Sequence, residues 1–218
     1  MALFSYPKKA LFDKIVPKAK FYKHINLSKR IRDLFVADIG QIVWLYKLAP
    51  ETINLSAKPE VPEIQIFEIS LKKQDFDFEL LEIIDKAIKF PIFYELKFED
   101  MVMPVASLKR PIEAKSNNWV VEDYFATPWQ KSTADRMTLP VAIDLLNLYN
   151  LMLQKHLPEL PRKGESVTEL VERLSLLKVK KFEYSKIESA IKKEKQFNRK
   201  VEVIAQLRKL KKEIDKLT

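Results

Sequence analysis

A chain of 218 residues with 47% hydrophobic content and a formal net charge of +9 has ample apolar side chain for one compact body plus an appendage. It holds no cysteine, and its two histidines, His24 and His156, lie far apart in sequence; this excludes disulfides, thiolate zinc sites and cysteine nucleophiles, and argues against a histidine-based metal centre. Its two glycines, Gly40 and Gly164, leave no room for a Walker loop, a dinucleotide fingerprint or a nucleophile elbow, each of which needs several.

The N-terminus lacks a basic segment followed by a long apolar stretch, and no apolar run approaches bilayer-spanning length. The expectation is a soluble, cytoplasmic chain with no membrane partner and no cofactor. The charge is unevenly placed. Residues 1–30 carry eight Lys/Arg against Asp13 alone, residues 186–218 carry eleven against five acids, and residues 51–105 carry six against twelve. Basic ends around an acidic middle suit a polyanion binder, and equally suit ends that pack on the acidic stretch of the same chain or of a second copy.

In chain order, a short helix through Ala10, Leu11 and Ile15 is expected to end near Pro17. Ser28 reads as the cap of a longer helix carrying Ile31, Phe35, Ile39, Ile42 and Tyr46 up to Pro50. Residues 63–71 read as a central strand, apolar on both faces. Asp75 or Asp77 caps a helix with Leu80, Leu81, Ile84 and Ile88. Ile92–Phe98 alternates as a half-buried strand, and 101–108 and 119–125 complete a meander. Thr138 and Pro140 then signal a helix through Val141, Leu145, Leu148 and Met152. Pro158–Gly164 is a hinge candidate, Ser166–Glu169 has the capping-box pattern, and Ser185–Glu188 repeats it at the start of a terminal arm. The predicted fold class is α+β: a three- or four-stranded mixed sheet with packed helices, then a helical region ending in a basic, coiled-coil-like arm. The expected divisions are 1–130, 131–184 and 185–218.

The arm carries the strongest functional signal. Leu207, Leu210, Ile214 and Leu217 alternate spacings of three and four, the seam of a short coiled coil. Lys192, Lys193, Lys195, Arg199, Lys200, Arg208, Lys209, Lys211 and Lys212 form a basic surface able to track phosphates without reading bases. Gln196, Phe197 and Asn198 sit where the seam slips and read as a partner contact. The competing reading is a solvated helix packed on its own body or on a twin. Glu95-Leu96-Lys97 has the shape of the acid-x-lysine element of magnesium-dependent nucleases, with Glu68 as a further ligand; a solvated strand face explains the same triplet. Near the start, Lys18 to His24 interleaves lysines with Phe21 and Tyr22, a pattern that stacks bases of a single strand or packs its rings inward.

The chain resembles a prokaryotic family, domain of unknown function 4391. The likeness rests on Pro7-Lys8-Lys9, Ile15-Val16-Pro17-Lys18 with Phe21-Tyr22, Ile42-Val43-Trp44, Lys47 through Leu55, Val61 through Leu71, Ile84 through Ile88, Tyr124-Phe125 with Trp129, and Gln196 through Lys200. The resemblance brings no activity and no catalytic residues. It implies gene neighbours that are helicases and DNA methyltransferases in restriction-like phage-defence islands. The expectation is a non-enzymatic accessory protein of such a DNA-processing system, binding a partner protein (a helicase or methyltransferase) and DNA through the basic arm. Two alternatives are a magnesium-dependent nuclease using Glu68, Glu95 and Lys97, and a structural homodimer.

Overall fold

The computed structural model describes residues 2–24, 27–111, 119–193 and 196–218, which fall into two compact units, 1–159 and 160–218. The first is a mixed α+β unit built on a seven-stranded sheet. Its strands are β2 (Leu11–Ile15), β3 (Ile39–Leu48), β4 (Ile64–Leu71), β5 (Ile92–Phe98), β6 (Met101–Pro111) and β7 (Trp119–Ala126) in that spatial order, with β8 (Gln130–Lys131) also on β6. Only the β4–β5 neighbours are parallel. That pairing requires a crossover, supplied by helix α4 (Glu79–Ala87). A separate pair joins β1 (Phe4–Ser5) in parallel to β9 (Met137–Thr138).

One face of the sheet packs under α1 (Ala19–His24), α2 (Lys29–Asp38) and α4, burying Phe35, Ile42, Phe67, Leu81, Ile84 and Leu96 in one cluster. The other face meets α5 (Leu145–Gln154), where Tyr149 lies edge-on to Phe93 at 5.8 Å. The Tyr149 hydroxyl donates to Ser107 O at 2.9 Å and accepts from the Lys109 N–H at 2.7 Å, so a buried phenol is satisfied on both sides. His156 stacks among Phe4 and Phe93 and is held well below the usual imidazole range, at about 4, by burial.

The reading of residues 63–71, the α4 helix and the positions of the three strands that follow agrees with the structure, except that Ile92–Phe98, expected to be half-buried, is buried on both faces over residues 92–96, Glu95 included. Three further elements differ. The helix capped by Ser28, whose hydroxyl accepts from the Ile31 N–H, ends at Asp38, and Ile39 to Leu48 is a strand. Its β-branched and aromatic run, Ile42-Val43-Trp44-Leu45-Tyr46, is held between β2 and β4, so pairing overrides the three-four spacing. Lys18 and Lys72 donate to the last carbonyls of α2 and close its C-terminus. Leu11–Ile15 is likewise strand rather than helix, which widens the sheet beyond four strands. Finally, α5 begins after Asp144, whose carboxylate accepts from the Asn147 N–H at 2.8 Å; Val141 upstream is 98% exposed.

The second unit contains α6 (Val167–Lys193) and α7 (Phe197–Leu217). Ser166 and Glu169 form the predicted capping box, with Glu169 Oε2 accepting from the Ser166 N–H at 2.7 Å and Ser166 Oγ accepting from the Glu169 N–H. The same pattern at Ser185 lies inside α6, which runs through it uninterrupted, so it does not start a helix. The helices pack antiparallel. Lys180 pairs with Glu213 at 3.0 Å, Arg173 donates to Leu217 O at 2.6 Å and Arg162 to Lys216 O at 3.1 Å, so α7 descends as α6 ascends.

Candidate nucleic-acid and partner interface

The hairpin concentrates charge. Residues 160–218 carry seventeen Lys/Arg against nine acids, net +8, which leaves +1 for the whole of residues 1–159. On α7 the seam residue Leu210 is buried and Leu207, Ile214 and Leu217 are half-buried, so the apolar stripe is used within the hairpin. Arg199, Arg208, Lys209, Lys211 and Lys212 are exposed and Lys200 is half-buried. Among the described residues no salt bridge engages Arg208, Lys209, Lys211 or Lys212. Lys192 and Lys193 lie on the last turn of α6, and Gln196 stands exposed at the N-cap of α7. Lys195 falls outside the described residues, as do the side chains of Lys192, Lys193, Phe197 and Asn198.

A second face of α7 is continuous with these cations. Val201 and Ile204, 52% and 40% exposed, sit with Ala205, Arg208, Lys209 and Lys212 around a groove of about 530 Å³. The spacing 201, 204, 205, 208, 212 follows one helical face, apolar in its first half and cationic in its second. Over twelve residues it spans about 16 Å at the helical rise. Such a face can lie along a phosphate backbone or take an acidic amphipathic segment.

The second candidate lies in the first unit, on the α5 side of the sheet. Glu68 and Glu95 are register partners on the parallel strands β4 and β5, and Ser70 pairs with Lys97. Lys97 Nζ reaches Glu68 at 2.5 Å, while Arg136 grips Glu95 through two hydrogen bonds of 2.8 and 2.7 Å and donates also to Phe4 O. The sheet therefore brings Glu68, Glu95 and Lys97 onto one face. Two like charges side by side would repel, and each is neutralised by its own cation. The Arg136 fork is held protonated by Glu95, and burial together with Glu95 pushes the Tyr6 phenol up. Among the described residues no group of three or more acids or histidines is placed to hold a metal ion. Each of the two carboxylates already faces a cation, so a magnesium ion on this face would have to displace Lys97 or Arg136.

Arg136 escapes the sequence reading because it sits in a segment without periodicity. Its one signal is indirect: a glutamate on the buried side of a strand requires a cation. Asp85 and Lys109 form a comparable pair in the core. Lys109 Nζ lies 3.0 Å from Asp85 Oδ1 and donates also to the Asp85 and Ile88 carbonyls, while the hydroxyls of Tyr94 and Tyr124 donate to Asp85 Oδ2 at 2.8 and 2.6 Å. Burial lowers the lysine's affinity for its proton and Asp85 opposes that shift. This network is enclosed and fully engaged, which makes it architecture.

No helix among the described residues is long and apolar enough to cross a membrane. The family model described as a domain of unknown function, DUF4391, matches residues 4–214. No curated protein and no solved structure matches the chain.

Proposed function

We propose that this chain, which belongs to the DUF4391 family over nearly its whole length, is a non-enzymatic accessory protein that engages nucleic acid and a partner protein through its basic helical hairpin. The observation that carries this reading is the segregation of charge: net +8 on the hairpin against +1 on the rest. Hairpin cations that lie exposed along α7 are available to displace counterions from a phosphate backbone without reading bases. The partner proposed is a helicase or DNA methyltransferase of a restriction-like defence system, a role suggested by the family resemblance.

The test is fluorescence anisotropy of labelled single- and double-stranded DNA across a salt series. It compares the wild-type chain with a variant carrying alanine at Arg208, Lys209, Lys211 and Lys212. The wild type should bind with steep salt dependence, and the variant should flatten the log–log slope on duplex by roughly 3 to 4, at about 0.9 for each phosphate that is no longer neutralised. Equal slopes would remove the nucleic-acid half of the proposal. The apolar half of the α7 face, Val201, Ile204 and Ala205, supports the protein half: rimmed by Arg208, Lys209 and Lys212, it complements an acidic amphipathic helix.

A further inference from the structure

A cavity of about 610 Å³ in the first unit opens between α1, the β3–β4 strands and the end of α4. Its apolar walls are aromatic: Phe21, Trp44, Phe67 and Phe90. Trp44 and Phe67 lie near-parallel, 6.1 Å apart at 8°, and the indole N–H is already donated to Tyr46 O at 2.9 Å, so Trp44 offers the cavity a ring and no donor. The volume is in the range of small-ligand sites, and the wall suits a flat ring.

The polar groups narrow the ligand. Gln65 is 3% exposed and lines the cavity. Its Nε2 donates to Glu63 Oε1 at 2.5 Å, and since a carboxylate only accepts, this contact fixes which end of the amide is which. The Gln65 Oε1 is thereby left buried with no hydrogen-bond partner. A buried acceptor without a donor costs free energy, which a ligand N–H recovers once the Gln65 amide shifts towards the cavity that its residue lines. Lys20 and Lys89, at the cavity's edge, bring positive charge to its mouth. Lys20 and Phe21 also belong to the lysine–aromatic run that the hairpin reading does not use.

We propose that this cavity binds a nucleobase bearing an exocyclic amine, its ring against the aromatic wall, its amine donating to Gln65 Oε1 and its phosphate towards Lys20 and Lys89. A free nucleotide and a nucleotide within a single strand present the same chemistry. This site is independent of the hairpin, lies in the other unit and reads a base where the hairpin reads none.

The experiment is calorimetric and tryptophan-fluorescence titration of the full chain with CMP, UMP, ribose 5-phosphate and a dC hexamer. CMP should bind saturably. UMP, which carries a carbonyl in place of the amine, should bind roughly tenfold more weakly, as should CMP to Gln65→Leu, the effect of one buried hydrogen bond. Lys20→Glu, at an exposed position, should weaken CMP by a similar factor and leave the fold intact. The four-alanine hairpin variant should bind CMP as the wild type does, which separates this site from the hairpin. Binding of CMP assigns a free nucleotide; binding of the hexamer alone, lost in Gln65→Leu and kept in the hairpin variant, assigns a nucleotide in a strand. The proposal is overturned if neither ligand binds more tightly than ribose 5-phosphate, or if Gln65→Leu and Lys20→Glu both bind as the wild type does.

Discussion

The two units treat charge in opposite ways. In the first, ionic groups are drawn inward and matched: Asp85 with Lys109 in the core, Glu95 with Arg136 beside the N-terminal strand. In the second, Arg173 is buried, and Arg199, Arg208, Lys209, Lys211 and Lys212 of α7 stand in water. A matched interior charge resists removal because its partner would be stranded; a solvated one contributes little to stability and stays free for a ligand. Sequence position alone does not separate these two kinds of lysine.

The sharpest way to break that contrast is Lys109→Ala. It strands the Asp85 carboxylate in the core and should cost about 3–5 kcal/mol, read by urea unfolding. A loss below about 1 kcal/mol would show that the core tolerates Asp85 alone, and the contrast would weaken.

A smaller effect is expected from His156. Its native pKa is lowered to about 4 from 6.5, so between those values the unfolded chain carries a proton that the folded one lacks. Stability is therefore full above pH 6.5 and declines as pH falls towards 4, by about 3 kcal/mol in all. His156→Phe, placed among Phe4 and Phe93, should remove this part of the pH dependence in unfolding curves at about pH 4.5 and 7; an unchanged difference would assign it to other groups.

The smallest effect sharpens the other side. Alanine at Arg208, Lys209, Lys211 and Lys212 together should leave thermal stability nearly unchanged, within about 0.5 kcal/mol per site. A large loss would mean that these cations hold the hairpin together and are not available to a ligand.

Much of the first unit is legible because its signals are local. Ile92 to Phe98 alternates, Pro91 stops what precedes it, and the acids at Glu79 and Glu82 mark the start of α4. Periodicity misreads β3 because residues 31, 35, 39, 42 and 46 satisfy a helical spacing while the chain changes conformation at Ile39. Gly40 is the available clue: a Cβ there would stand 3.1 Å from Ser70 O, a closeness between neighbouring strands. The candidate site divides in the same way. The basic residues of α7 are visible as composition, whereas Arg136 meets Glu95 across forty-one positions and Gln65 gains its meaning only from Glu63 and the cavity wall. Ser185 shows the opposite failure, a start signal that a continuous helix overrides.

The pairing of Phe4 with Met137 and Ser5 with Thr138 sets an order on synthesis. The earliest strand waits for a partner more than 130 residues later, so during translation the N-terminal segment stays unpaired until the sheet strands have all emerged. The α6–α7 hairpin closes through contacts much nearer in sequence and is made after that pair. A stall or truncation before residue 137 therefore leaves a sheet whose N-terminal strap has nothing to fasten to, whereas one just after residue 159 keeps that strap and loses the basic hairpin.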